Sequence, residues 1–330
     1  MKSTELPLLA VSCYQVKLRA KQAARLPVYL GSTIRGAFGH ALKDTVCIVN
    51  HRECNRCIVA DRCSYPYLFE TSINNSQKET HQDLPHPFVL APPLKTGAKA
   101  GDYQSFSPDE EMIFDLILMG RAIDYLPYIV YSISRMAEKG FGLRVRNSFR
   151  LCEVVCLDSL PVTSIYNAET EQLTTPDKFK TLAELVAIRE SLIPKANIEK
   201  LNLNFLSPTR IRLGGKLQNN LSFSILVKNL VRRISLLAQT HNKSSWQLGI
   251  EATLSKLAED VQIKNNNLEW WDFERFSNRQ RTSMKLGGFV GEIEYQSPAI
   301  AEFLPLLIAG EILHIGGSTS FGLGKYQVNF

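Results

Sequence analysis

The order in which apolar segments recur constrains this chain more than any single motif in it. Residues 8–19 end in alternating apolar and polar positions, the pattern of a half-buried strand. Residues 32–46 read as a helix, with Ser32 a candidate N-cap. A buried strand is expected over 112–120, a mostly buried helix over 122–140 and another strand over 149–159. The order then returns: a strand at 208–217, a helix at 222–241 and an extra helix at 250–262. Strands follow at 268–276 and 283–296, then a helix at 298–309 and a strand at 324–330. Both halves spell β-α-β-β-α-β, the ferredoxin-like pattern that lays two helices on an antiparallel sheet.

The expected fold is therefore α+β, with tandem ferredoxin-like domains over 1–160 and 201–330 joined by a polar linker at 161–200. The first domain carries a cysteine-rich insert at 46–70 and a long loop at 71–110, within which 85–90 reads as an edge strand. The second carries a glycine-rich loop at 314–325. At 330 residues and 45% hydrophobic content the chain can bury two such cores. The most apolar late segment, 303–315, is broken by Pro305 and Glu311 and is too short to span a bilayer. No signal-peptide pattern opens the chain, so a cytoplasmic location is expected and the sequons at Asn74, Asn220 and Asn242 carry no meaning there. A formal net charge of +6 is compatible with a polyanionic partner without establishing one.

In a reducing compartment the seven cysteines are thiols or metal ligands. Cys47, Cys54, Cys57 and Cys63 crowd into one polar stretch, at spacings that let four thiolates wrap one tetrahedral ion. Such a closed site is structural: the metal folds a segment too polar to fold alone. Zinc is the expected ion; an iron–sulfur cluster and no metal at all stay open, as does replacement of one cysteine by His51. Cys13, Cys152 and Cys156 lie in apolar strands and read as core residues.

On a helical wheel Ile34, Phe38, Ala41 and Thr45 fall on the face that meets the sheet. The opposite face carries Ser32, Gly36, Gly39 and Lys43, flanked by Arg35 and His40. Each glycine costs a helix about 1 kcal/mol against alanine, so something is expected to pack on that face. A ribose–phosphate backbone and a close helix–helix crossing fit equally well. If RNA is cut there, the simplest chemistry uses no metal. A base takes the proton of a ribose 2′-hydroxyl, an acid protonates the departing 5′-oxygen and a cation steadies the charge. His40, Lys43 and Tyr29 can fill those roles, with His314 as the competing histidine. Arg144, Arg146 and Arg150 form either an RNA contact or a solvated basic turn.

The loop GGSTSFGLGK is neither a Walker motif, because Leu323 stands at the lysine position, nor a dinucleotide fingerprint. The runs at 276–295 and 303–326 instead resemble the CRISPR-associated repeat-RNA-processing endoribonucleases of the RAMP superfamily. So do the helix at 31–47, the cysteine cluster, YPYLFE (65–70), PHPFVLAPP (85–93) and the segment 120–142. The resemblance implies a protein that binds CRISPR repeat RNA and cleaves precursor crRNA once per repeat. It does so without a divalent metal, leaving a 2′,3′-cyclic phosphate and a 5′-hydroxyl. It places the catalytic histidine in the first helix, where His40 stands, and lays the glycine loop against RNA. The expected RNA contacts are then Arg35, Gly36, Gly39, Arg144, Arg146, Gly316, Gly317, Ser318, Thr319, Gly322, Gly324 and Lys325. CRISPR effector or adaptation proteins are further partners on this reading. Two other readings stand beside it: a non-catalytic RNA-binding subunit of an effector complex, and a zinc-module adaptor for DNA or protein.

Overall fold

The computed structural model describes residues 1–2, 5–49, 53–71, 84–94, 101–142, 148–159, 161–176, 178–193, 198–218, 220–244, 246, 249–277 and 282–330. Two compact units emerge, one of Ala10–Gly97 and Asp102–Phe179, the other of Met1–Leu9, Ala98–Gly101 and Lys180–Phe330. Among the described residues no helix is long and apolar enough to cross a membrane.

The first unit runs β1 (Val11–Ala20), β2 (Ala24–Pro27), α1 (Gly31–Val46), α2 (Ser64–Phe69), β3 (Phe88–Ala91), β4 (Tyr103–Phe106), β5 (Glu111–Met119), α3 (Leu126–Lys139), β6 (Phe149–Cys156), β7 (Thr163–Asn167) and β8 (Gln172–Leu173). Its main sheet has the order β3-β5-β1-β6-β7-β8, antiparallel throughout. The first four positions are the ferredoxin-like order, and β2 pairs with β4 as a separate ribbon. The alternation in β1 decides which face is covered. Tyr14, Val16 and Leu18 are fully buried with Ile34, Phe38 and Leu42 of α1 and Ile129 and Ile133 of α3 in one core. Lys17 and Arg19 point the other way and pair with Glu153 at 3.4 Å and Glu111 at 2.9 Å.

The second unit runs α4 (Leu182–Ser191), β9 (Lys200–Thr209), β10 (Arg212–Leu213), β11 (Lys216–Leu217), α5 (Phe223–Asn242), α6 (Gly249–Glu259), β12 (Gln262–Ser277), β13 (Thr282–Gln296), α7 (Leu304–Leu313) and β14 (Tyr326–Asn329). The sheet order β12-β13-β9-β14, again antiparallel, repeats the ferredoxin-like arrangement.

Three expectations need correction. The polar linker at 161–200 is folded: β7 and β8 extend the first sheet, and α4 opens on a capping box in which Thr181 and Glu184 satisfy each other's backbone amides. Polarity misled because these elements are short and largely exposed; the described part of α4 is tied to α7 by Arg189–Glu311 at 2.9 Å. The strand expected at 208–217 is divided. The central strand is β9, and Gly214 and Gly215, both at positive φ, turn 212–217 into a two-residue hairpin. Third, α1 is capped at Leu30, so Ser32 lies inside the helix.

Candidate functional site

The face of α1 expected to meet RNA is shared. Gly39 is buried because Phe69 of α2 lies on it; a Cβ there would stand 2.9 Å from that ring. This corrects its assignment to RNA, since the helix-packing alternative accounts for it. Arg35 is likewise occupied. Its guanidinium lies 4.9 Å from the Phe69 ring centre, and its Nη2 is 3.2 Å from Nε2 of His86. Arginine only donates, so Nε2 accepts, and the His86 Nδ1–H donates to Thr71 Oγ1 at 2.9 Å. Lys43 is half-buried with its Nζ 4.8 Å from the Tyr65 ring centre, and it lines the cysteine recess. Tyr29 is only 7% exposed. The expected trio therefore does not face solvent together: His40 does, Lys43 turns to the insert and Tyr29 is a packing residue.

What stays open is a strip one helical turn apart: Gly36, His40 and Asp44, all exposed. Among the described residues no atom beyond the helix's own backbone and Gly36's chain neighbours lies within 4 Å of where a Gly36 Cβ would be. Asp44 is held by Lys139 at 2.8 Å. Arg144, Arg146 and His51 lie outside the described residues; Arg150 is exposed and pairs with Asp109 at 3.3 Å, the solvated reading of that turn.

The four clustered cysteines line one recess together with Lys43, Val46, Glu53 and Tyr65. Local turns explain how. Cys47 ends α1, a 3₁₀ turn at Cys54–Arg56 sets Cys57 one turn beyond Cys54, and Cys63 opens α2. The donor set suits a four-sulfur ion, but among the described residues no three of His, Cys, Asp and Glu converge to hold one. Burial raises the Cys54 thiol to about 11, helped by Glu70 and opposed by Lys43. Burial also raises that of Cys63.

In the second unit the glycine loop folds back on its own chain. The amide of Gly317 donates to Arg210 O at 2.8 Å, that of Gly322 to Thr319 O at 2.8 Å and that of Gly324 to Pro208 O at 3.2 Å. Thr319, Gly322 and Gly324 are buried. Gly324, at φ +77°, is glycine because a Cβ would collide with Ile315 O. These three residues therefore serve the fold, and only Gly316, Gly317 and Ser318 form an exposed or half-exposed tip. Lys325 is half-buried, and its amide is held by Ser207 Oγ at 2.9 Å.

His314 caps α7 and supports the loop from inside. Only 2% exposed, it donates from Nδ1 to Leu323 O at 3.1 Å. Buried Arg233 grips the same helix end, donating Nε to His314 O at 2.7 Å and Nη2 to Leu313 O at 2.7 Å. Burial, with Lys325 nearby, lowers the His314 pKa from 6.5 to about 3, so this histidine is a neutral structural donor and drops out as an acid–base candidate. The unfolded chain protonates below about 6.5 while the native imidazole stays neutral. The second unit is therefore expected to lose stability as pH falls from 6.5 toward 3, and His314→Gln to flatten that dependence in urea midpoints.

Sequence reasoning missed the roles of His86, Arg210 and Arg233. PHPFVL reads as an edge strand and as part of the family resemblance, neither of which gives His86 a role, and nothing in the helical pattern of α5 marks Arg233 as buried.

Residues 203–326 match the family of the CRISPR-associated endoribonuclease Cas6, and residues 8–178 match the AF_1859_N family, described as an N-terminal domain. An uncharacterized protein of Archaeoglobus fulgidus is 24% identical over 305 residues, 92% of each chain. Among solved structures, a Thermus thermophilus Cas6 is similar with a TM-score of 0.54 and 17% identity, covering 97% of this chain and 99% of that one. A chain of a partial Cas6-RT-Cas1–Cas2 complex has a TM-score of 0.57 at 14% identity, covering 98% of this chain but 47% of that one. These two structures establish the shared fold.

Proposed function

We propose, on the premise that this chain belongs to the AF_1859_N family through residues 8–178 and matches the family of the CRISPR-associated endoribonuclease Cas6 over residues 203–326, that it binds CRISPR repeat RNA and cleaves it within each repeat. In the proposed reaction the ribose 2′-oxygen attacks the adjacent phosphorus as its proton leaves, and the P–O5′ bond breaks. The 5′-oxygen takes up a proton, so the products are a 2′,3′-cyclic phosphate and a 5′-hydroxyl. His40 moves one of these protons. The observation that carries this reading is its exposed imidazole beside open Gly36 on α1. Purified protein incubated with a transcript of the repeat beside its gene, in excess chelator, is expected to give a single product pair. Dependence on Mg²⁺ contradicts the mechanism. The engagement of Lys43 and the burial of Tyr29 favour one alternative, an RNA-binding subunit that does not cut; it predicts binding without products in the same assay. The likeness to a Cas6-RT-Cas1–Cas2 chain supports adaptation proteins as further partners.

The insert is assigned a structural zinc held by Cys47, Cys54, Cys57 and Cys63, with Lys43 offsetting the excess negative charge of four thiolates. Its support is the donor set and the shared recess. Binding must displace the proton of the raised Cys54 thiol, so metal uptake is expected to strengthen as pH rises. Elemental analysis is expected to find one zinc per chain. Cys54→Ser is expected to lose it and to expose 47–63 to limited proteolysis, with the rest of the unit intact.

A further inference from the structure

The sheet of the second unit has two faces of opposite character. One buries Leu201 and Leu203 of β9, Ile293 and Tyr295 of β13 and Tyr326 of β14; Tyr295 meets Phe223 of α5, and the Tyr326 hydroxyl donates to Leu307 O of α7. Because side chains alternate, the strand register fixes what the other face shows. Asn265, Glu294, Asn202 and Asn329 stand opposite one another in a row that crosses all four strands. Asn267, Glu292, Asn204 and Gln327 form the next row. Each carboxylate of β13 therefore has an amide side chain on both sides. Asparagine is a poor strand residue, and a face that met only water could carry threonine there with less strain on the sheet. Five asparagines in two rows point to something that this face holds.

The two rows contain two acids and no base. Glu292 is exposed and Glu294 half-buried, and a third acid, Glu269, lies exposed two residues beyond Asn267 on the same face of β12. Lys200, two residues before Asn202 on β9, is already engaged by Glu294 at 3.5 Å. Asn202 donates from Nδ2 to Glu292 Oε2 at 3.5 Å, and its Oδ1, shut off from solvent, has no donor among the described residues. Carboxylates beside an unfilled acceptor call for hydrogen-bond donors that carry positive charge. Lysine and arginine supply them; a phosphate group has none. In a chain of formal net charge +6 this face has the opposite sign, so it is the wrong surface for nucleic acid.

We infer that this face is a docking surface for a basic protein segment that lies extended along β13, with lysine or arginine at alternate positions. Glu292 and Glu294 are two residues apart on one strand, about 6.7 Å, which is also the distance between alternate side chains of any extended chain. The amides on either side both donate and accept, so they can bond to a peptide backbone whatever its sequence. The carboxylates then set which segment is taken and in what register. The inference goes beyond the RNA-processing reading and does not depend on it.

The test uses the full chain and two fluorescent peptides of equal composition, one alternating arginine with threonine and one carrying the arginines in a single block. Anisotropy titrations compare wild type with Glu292→Gln/Glu294→Gln and with Glu292→Lys, and the same proteins are titrated with oligouridylate. Glu292 is exposed, so its single variant keeps the fold even if the double variant does not; thermal melting checks both. Wild type is expected to bind the alternating peptide more tightly than the block peptide. The double variant is expected to lose about tenfold in affinity for it, or about threefold per exposed ion pair, and Glu292→Lys a comparable factor. Oligouridylate affinity is expected to hold or to rise as negative charge is removed. Unchanged affinity for the alternating peptide in folded Glu292→Lys overturns the surface. Equal binding of the two peptides by wild type overturns the extended seat along β13. Weaker oligouridylate binding by the double variant overturns the protein partner in favour of RNA.

Discussion

His40→Ala is expected to lower the single-turnover rate of the proposed repeat-RNA cleavage by about 10²–10⁴-fold, the span ordinarily lost with a general acid or base. The affinity for uncleaved RNA stays within about twofold, because an exposed imidazole at an open helix face supplies little of a largely electrostatic binding energy. Rapid-mixing cleavage with trace-labelled transcript reads the rate, and filter binding with a 2′-deoxy analogue reads the affinity. A variant that cuts at the parental rate removes His40 from the chemistry. His314 is not available to replace it, since it is buried, neutral and committed to the Leu323 carbonyl. The half-buried His86 between Arg35 and Thr71 is then the imidazole to examine.

Two glycines that look alike in the sequence are expected to respond in opposite directions. Gly324→Ala destabilises the second unit by about 3 kcal/mol or more, combining a left-handed φ of +77° with a Cβ driven into Ile315 O. Gly36→Ala is expected to stabilise the first unit by about 1 kcal/mol, because the residue sits at an exposed position inside α1 with, among the described residues, nothing beyond the neighbouring helix backbone within 4 Å of the new methyl group. Urea unfolding followed as two transitions, one per unit, measures both shifts. The RNA affinity of Gly36→Ala adds a second readout. If RNA packs on α1 at this position, the more stable variant binds RNA more weakly. Equal affinity places RNA elsewhere on the unit.

The sheet order of both units was legible because the apolar periods of β1, β5, β6 and β13 and of α3 and α5 are long and clean. Boundaries failed where burial was one-sided or the period was short. Leu201, Leu203 and Phe205 alternate in β9, but the polar residues between them obscured a strand that the sequence pattern starts only at 208. The Asn265–Asn267 run hid the first third of β12, an edge strand whose polar face meets solvent. Spacing put His40 off the buried face of α1 and drew the four cysteines into one segment, as the exposed imidazole and the shared recess have it. It could not show that Phe69 lies on Gly39, or that Lys43 turns toward Tyr65, because both depend on how α2 packs onto α1. The glycine loop was misread in a similar way. Four glycines signal close approach, yet Gly324 is approached by this chain's own Ile315 carbonyl, and only the tip at 316–318 is left for a ligand.

In the proposed reaction a ribose hydroxyl is the nucleophile against its own phosphodiester. The most direct measurement replaces only the 2′-hydroxyl at the scissile nucleotide with hydrogen and follows cleavage by the wild-type protein in chelator. This RNA is expected to bind as tightly as its parent and to remain uncut, while the parent yields 2′,3′-cyclic phosphate ends. Cleavage of the deoxy-substituted RNA at a comparable rate contradicts the proposed reaction.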